Sequence, residues 1–534
     1  MTHENAAVDP TAAAYETFQY ENLPFRMSHP DWMRTLGLMA GLDPAPIDSC
    51  RVLEIGCAHG GHLLPLAELL PNSEFVGIDL AASQIEGARR DADAIGLTNI
   101  RLEACDVRDV SFDSGPFDYV ICHGVYSWVP EDARRAILDL CAATLAPHGL
   151  AYVSYNTYPG WHARGMLRAM LRRTIAVDEP ATMAAAARTF LTMLRDFAPD
   201  NITLQPWLLS EIELLERFSD RYLYFEHLVE ENTPFWFADF VAAANRAGLV
   251  YVGEAEVPNA PPTVVGNKEP DDRGATDTDV AAHVESQQLL DMVALRHFRR
   301  SLLARADIGH QPIFVPDRSI VERLWVSVDR TRMSDDGGDS VEVDIDVDEG
   351  FEVSLDDDGK FVVTSGDTVP IMAMWSLARE PRRGAWFGDL LETVASRMGD
   401  TAGSDLRERL ASWALEGFLE GRIQLSTWPR PVAHELPERP TTTRLARWQA
   451  MDGRSSVTNL RHEALEIDDL DRVLIVALDG ENTVDDIVHL GLECTSHGRV
   501  NVEVDGESVT DPELLAELVR TKLERLLRRG LVHG

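Results

Sequence analysis

Over the first third of the chain, short apolar runs closed by glycine or a polar residue alternate with stretches whose apolar residues recur at helical spacing. The runs Arg51–Ile55, Ser73–Leu80, Asn99–Ala104, Phe117–Cys122 and Leu150–Tyr155 are rich in Val, Ile, Leu, Phe and Tyr. They predict strands buried on both faces. Between them, His62–Leu70 and Glu131–Leu145 read as amphipathic helices, the second closed by Pro147-His148-Gly149. Alternation of strand and helix predicts a doubly wound parallel sheet, because parallel neighbours need a crossover and the crossover is usually a helix. Ligands of such sheets lie at the carboxyl ends of the strands.

From Ala163 to Asp220 the pattern is helical and predicts an insertion into the sheet. Arg221–His227 then reads as a sixth strand, Pro234–Ala247 as a helix with proline in its first turn, and Gly248–Ala255 as a seventh strand. Asn259–Thr278, rich in Pro, Gly and Asp, reads as a linker. Gln287–Arg305 has the spacing of a helix with a basic tip, and Val321–Thr364 alternates apolar with acidic residues, as in Val341–Val347, which predicts a hairpin with one wet face. Helices at Val369–Ala378, Phe387–Met398 and Leu406–Gly421, followed by a strand at Arg422–Thr427, suggest a winged-helix-like module. The tail repeats the idea with helices at Asp469–Leu478, Thr483–Leu490 and Glu513–Arg529 and an acidic wing near Arg499–Val509.

The expected fold is therefore α/β: a seven-stranded, Rossmann-like doubly wound sheet with a helical insertion, followed by α+β winged-helix-like domains. Its expected divisions are an N-terminal cap at 1–48, a ligand-binding core at 49–160, the insertion at 161–220 and the end of the sheet at 221–258. A linker at 259–285, a helix with the acidic hairpin at 286–365, a winged-helix-like domain at 366–430 and a C-terminal region at 431–534 complete the chain. The cap opens with a polar tail, expected to be disordered to Thr11, and continues through the aromatic stretch Tyr15–Trp32, which prolines interrupt. A helix starts at Asp31 and is stopped by Gly41.

The stretch with the most chemistry is Arg51-Val-Leu-Glu54-Ile-Gly56-Cys57-Ala58-His59-Gly60-Gly61. A strand that runs into glycines lets the backbone approach a ligand closely, and the helix that follows aims free N–H groups at it. A second strand ends in Asp79 about twenty residues later, where a carboxylate can accept both hydroxyls of a ribose. Asp106 follows the third strand and His123-Gly124 the fourth, so all four ends face one crevice.

Composition narrows the class. The chain has 534 residues and is 45% hydrophobic, enough for about three to four domains at roughly 100–200 residues each. No apolar run reaches the about 18 residues that span a bilayer, and no secretion signal is visible, so a cytoplasmic protein without membrane insertion is expected. Six cysteines without a C-x-x-C pair read as small buried hydrophobes in a reducing compartment, and no metal is expected. The net charge of -39 argues against nucleic acid as a partner and would steer in a basic one. Only Lys268, Lys360 and Lys522 are lysines, so the charge equally fits a composition bias.

These motifs resemble class I S-adenosylmethionine-dependent methyltransferases rather than dinucleotide dehydrogenases. The family's first motif places an acidic residue two before the first glycine, as Glu54-Ile55-Gly56 does. A dehydrogenase turn would read Gly-x-Gly-x-x-Gly, whereas here Ala58 stands at the middle position. The resemblance implies S-adenosyl-L-methionine as cofactor, S-adenosyl-L-homocysteine as product, and Glu54, Gly56, Cys57, Ala58, Gly60, Asp79, Leu80, Asp106, Val107 and His123 as its binding residues, with Asp79 on the ribose and Asp106 on the adenine amino group. The blocks Ser28-His29-Pro30, Ile121–Pro130, Asn156–Trp161 and Tyr222–Ala255 are similar to bacterial methyltransferases with a methyltransferase regulatory domain, whose best understood members methylate lysines of outer-membrane proteins. This likeness implies a protein or peptide substrate.

Methyl transfer from a sulfonium needs an acceptor in line with the S–CH₃ bond and stripped of water, so positioning supplies most of the acceleration. His123, Tyr126, Trp128, Tyr158, Trp161 and His29 are the acceptor-site candidates, because two aromatic-rich loops can wall a pocket and guide an amine by cation–π contact. Each aromatic equally suits core packing, and each histidine a structural role. The competing reading is a methyltransferase for a small molecule or peptide natural product with the insertion as lid. A nucleic-acid methylase would need an Asn/Asp-Pro-Pro-aromatic clamp after the fourth strand, where Cys122-His123-Gly124 stands instead. The C-terminal region is expected to offer a protein contact or homodimer surface.

Overall fold

The computed structural model describes residues 16, 18, 23–110, 115–197, 205–256, 277–309, 313, 314, 316–328, 353–355, 361–363, 368–379, 384–399, 402–504, 507–509 and 511–534. The polar tail, residues 259–276 of the expected Asn259–Thr278 linker and the Val341–Val347 run lie outside them. The chain divides into two units, one of Met1–Pro24, Asp48–Glu254 and Gly274–Pro312, the other of Phe25–Ile47, Ala255–Arg273 and Ile313–Gly534.

The first unit is built on seven strands: β1 Arg51–Ile55, β2 Glu74–Asp79, β3 Ile100–Ala104, β4 Phe117–Cys122, β5 Leu145–Asn156, β6 Leu249–Glu254 and β7 Phe298–Arg305. Their order is β3-β2-β1-β4-β5-β7-β6, with β7 antiparallel to both neighbours and the β1, β2, β3, β4 and β5 pairs parallel. Val52, Leu53, Tyr119, Val120, Ile121, Tyr152 and Val153 are wholly buried, as strands covered by helices on both faces must be.

Two expected elements are corrected here. Arg221–His227 is not a strand but the helix Asp220–His227, started by the Ser219 side chain, which accepts from Tyr222 N–H. Its aromatic residues favour strands intrinsically, but the cap and the packing of Leu223 and Phe225 onto the insertion core decide for helix. Gln287–Arg305 is not one helix: the helix Asp277–Ala294 ends, Leu295 adopts φ +48°, and β7 follows. The end of the sheet is therefore at Arg305 rather than at 258. The arginines that suggested a basic helix tip include Arg299, which is fully buried within β7. Its guanidinium meets Asp291 at 2.7 Å and Glu254 at 2.7 Å, and lies 3.7 Å from the Phe237 ring centroid.

Between β5 and β6 lie the helices Gly160–Thr174, Pro180–Phe197, Gln205–Arg217, Asp220–His227 and Phe237–Arg246. Leu167, Leu171, Ala187, Leu191, Ile212 and Leu215 form the core of this insertion, with Trp128 and Trp161 against it.

The second unit contains a three-stranded antiparallel sheet in which Trp325–Val328 lies between Gly384–Trp386 and Ile423–Ser426. Trp325–Val328 thus pairs here and not in the acidic hairpin, of which only Val353–Leu355 against Phe361–Val363 is described. Helices Thr368–Arg379, Phe387–Met398 and Leu406–Leu419 cover this sheet, and Pro30–Met39 packs with them through Leu38 and Met39. That helix corrects the expected cap, because residues 25–47 belong to this unit. Asp31 holds it there by accepting from Ser426 Oγ at 2.8 Å, and from Thr427 N and Thr427 Oγ1 at 2.7 Å each. A separate core at 433–532 packs helices Asp469–Ala477, Val484–Ser496 and Pro512–Arg528, with Glu503–Val504 pairing Glu507–Ser508 as a small wing. No helix among the described residues is long and apolar enough to cross a membrane.

Candidate active site

The turn after β1 is shaped by positive dihedrals at Gly56, Ala58 and Gly60, with φ of +77°, +46° and +74°. A Cβ on Gly56 would stand 2.3 Å from Val125 Cγ2, so this glycine also allows the loop after β4 to close against the turn. Ala58 pays the cost of a left-handed conformation and is pinned there by Asp79, whose Oδ2 accepts its N–H at 2.8 Å. Asp79 Oδ1 accepts from Ala81 N–H at 2.8 Å. Each oxygen keeps a second lone pair, so the carboxylate can serve the turn and still accept from a sugar hydroxyl.

Glu54 is buried at the end of β1, and its Oε2 has no hydrogen-bond partner. Burial, with the nearby Asp79 charge second, pushes its carboxyl up to about 8. Cys57 is buried beneath the turn beside Gly77. Leu80 is 50% exposed, an apolar side chain left open directly after Asp79. Asp106 begins the short helix Val107–Asp109; its Oδ1 accepts from Arg108 N–H at 2.9 Å, and its carboxylate is paired with the Arg108 guanidinium at 2.6 Å. That side-chain hydrogen bond holds it below the usual carboxylate range. Val107 is half-buried beside it.

A residue that sequence reasoning passed over, His59, ties this turn to the Ala82–Ala94 helix. Its Nε2 lies 3.2 Å from the buried Asp91, and its ring fills the space above Gly87, where a Cβ would stand 2.1 Å from Cε1. The available signal was a glycine inside a helix, which asks for a close neighbour.

The loops after β4 and β5 are tied together. Asn156 N–H donates to Ser127 Oγ at 2.9 Å, Asn156 Nδ2 donates to Asn232 Oδ1 at 3.0 Å, and Tyr158 N–H donates to Phe235 O at 2.9 Å. Gly160 lies so close to the Leu295 carbonyl that a Cβ would be 2.3 Å from it. Among the aromatic candidates, Tyr126 is 3% exposed and packed on Tyr155, Phe235 and Phe240, and Trp128 packs edge-on against Trp161. These two are core residues. Tyr158 is half-buried, stacked on His162 at 4.2 Å and next to Trp236 at 5.5 Å. Tyr158 and Trp161 both line a cleft of about 400 Å³ with Arg168, Arg172, Glu230 and Asn232.

Two of the candidate proton acceptors in these loops, His123 and Tyr126, are held in states unsuited to the task. His123 is hydrogen-bonded to the Tyr152 hydroxyl through Nδ1 at 2.9 Å, and burial, helped by Arg300 and His62, pushes it down to about 3. Burial pushes the Tyr126 hydroxyl up to about 12. At neutral pH the first is a neutral, weak base and the second keeps its proton. His29 belongs to the second unit, where its Nδ1 accepts from Asp31 N–H and its ring packs on Trp428 and His462.

Sheet order, turn and acidic strand ends together define a class I S-adenosylmethionine-dependent methyltransferase. Residues 52–149 match the model of a methyltransferase domain, 219–305 that of a predicted methyltransferase regulatory domain, and 438–533 that of the PKMT C-terminal winged helix domain. An uncharacterized protein of Rickettsia prowazekii is 27% identical over 96% of this chain and 91% of its own length. A second from the same organism is 32% identical over 44% of this chain and 94% of its own length. PKMT2 from Rickettsia typhi, solved in complex with AdoHcy, superposes with a TM-score of 0.81 at 25% identity, covering 96% of this chain and 100% of that one. The chain belongs to this family of S-adenosylmethionine-dependent methyltransferases, which carry a regulatory domain and a PKMT-type winged helix.

The regulatory-domain match has a structural meaning. Residues 219–305 include β6 and β7, so this region completes the catalytic sheet rather than being appended to it.

Proposed function

We propose that the protein transfers the methyl group of S-adenosylmethionine to lysine side chains of a protein substrate. The observation that carries this reading is the likeness to PKMT2 along nearly the whole chain, at a TM-score of 0.81, together with the PKMT winged-helix match at 438–533. The cofactor supplies an electrophilic methyl group. In this reading Glu54 faces its cationic methionine end, Asp79 its ribose, Leu80 and Asp106-Val107 its adenine, and Gly56 to Gly60 its backbone approach. A buried carboxylate oxygen without a donor, beside a turn that admits no Cβ, supports that assignment.

For the acceptor, the proposal gives Tyr158 and Trp161 the walls and the ordered Asn156–Asn232 pair the frame. Removal of the lysine proton falls to desolvation of the amine, since burial disfavours the charged form. His123 and Tyr126 are poorly poised for that task, the one being about 3 and the other about 12. Six free cysteines support a cytoplasmic site of action. The C-terminal region is proposed to contact the substrate or a second copy.

Incubation with labelled S-adenosylmethionine and a lysate of the host tests the reading. Label in protein, recovered as methyl-lysine after hydrolysis, is the expected result. Label confined to small dialysable products would transfer the site to a small-molecule acceptor.

A further inference from the structure

The cleft beside Tyr158 carries hydrogen-bond donors that have no acceptor. Arg168 and Arg172 stand one turn apart on the Gly160–Thr174 helix and both line it. Each spends part of its guanidinium on the carbonyls just after the Asp220–His227 helix. Arg168 Nη2 donates to Val229 and Glu230, and Arg172 Nη1 to Leu228 and Val229. Arg168 Nη1 is buried and has no partner. The indole N–H of Trp161, a residue 2% exposed, is in the same condition and lines the same cleft.

Both groups can only donate and both lie just beneath the wall that their residues form, so they match an accepting ligand that seats deeply enough to reach them. Burial, with Arg172 second, pushes Arg168 down to about 10, which leaves it cationic at neutral pH. Glu226 and Glu231 offset part of that charge, but burial raises the Glu226 carboxyl to about 7, so it is only partly ionised. Glu230 is exposed, where water screens it. On a chain of net charge -39, the Arg168 and Arg172 side of this cleft is a place that suits an anion.

We propose that the cleft binds a carboxylate of the acceptor protein, an Asp or Glu side chain close in sequence to the methylated residue, with Arg168 and Trp161 as its donors. The inference rests on the protein-acceptor reading and adds a specificity to it. An acidic neighbour, held by a charge-assisted hydrogen bond, fixes the register of the substrate while the amine enters past Tyr158. The acceptor lysine would then sit in an acidic rather than a basic stretch.

The test uses the full chain loaded with S-adenosylhomocysteine and a lysine-free peptide carrying one glutamate, compared with the same peptide carrying glutamine and with inorganic phosphate. The glutamate peptide is expected to bind about tenfold more tightly than the glutamine peptide. Trp161→Phe, which keeps the ring and removes the donor, and Arg168→Lys, which keeps the charge and removes the fork, should each weaken the glutamate peptide by about fivefold or more, with S-adenosylhomocysteine affinity unchanged. Equal binding of the two peptides, or variants that bind the glutamate peptide as the parent does, overturns the proposal. Binding of phosphate but not of the glutamate peptide overturns it in favour of a phosphate site. If the glutamate peptide binds as expected while a lysine placed beside the glutamate takes no methyl label, the carboxylate site stands and the lysine reading falls.

Discussion

Glu54 shows how one side chain can couple cofactor binding to pH. Buried and lacking a donor on Oε2, it is held neutral below about 8. The ligand's α-ammonium group beside it favours the ionised form, so binding below that pH must release a proton. Affinity for S-adenosylhomocysteine is expected to rise with pH up to about 8 and then level off, and calorimetry in buffers of different ionisation enthalpy should detect the released proton. Glu54→Gln removes that proton release and weakens binding by about tenfold or more. In the ligand-free protein the sign is opposite. Because the folded carboxyl titrates higher than the unfolded one, its contribution to stability is lost as pH rises toward 8. Gly56 makes the second residue-scale prediction. With φ +77° and Val125 Cγ2 2.3 Å from the place of a Cβ, Gly56→Ala should cost about 1–3 kcal/mol of stability and abolish S-adenosylhomocysteine binding, as thermal unfolding and calorimetry would show.

Among elements, β7 has the most to lose from a single change. Arg299 pairs with both Asp291 and Glu254 in the interior, so Arg299→Ala leaves Glu254 without its arginine and Asp291 with Arg296 alone, and should destabilise the first unit by about 3–5 kcal/mol in denaturant unfolding. The same strand marks the limit of what the sequence discloses. The first four strands are legible because each ends in a glycine or carboxylate that the fold uses, as at Gly56, Asp79, Asp106 and Gly124. β7 is not, because Arg299 and Arg300 break its apolar run, and the partners that make a buried arginine tolerable come from Asp291 and Glu254. The Asp220–His227 helix was concealed by the opposite effect, a set of strand-favouring aromatics governed by one capping serine. At the site, the motif residues were legible from spacing. The unanswered donors of Arg168 and Trp161 were not, since they depend on where helices from the insertion bring their side chains.

On the scale of the whole molecule, sequence order and spatial order diverge twice. Residues 25–47 lie near the start of the chain yet belong to the unit that ends it, through the three donors that converge on Asp31. Asp31→Ala is therefore expected to destabilise the second unit by about 2–3 kcal/mol, read as a lowered midpoint in denaturant for the transition of that unit. The other divergence is β7, which is late in sequence but lies between β5 and β6. While the protein is being made, β5 keeps one bare edge until Phe298–Arg305 has left the ribosome, an interval on the order of ten seconds at ~5–20 residues per second. An open edge that hydrophobic and that persistent invites pairing with other nascent chains. Soluble yield in a heterologous host should accordingly depend on chaperone supply more than on the stability of the finished fold.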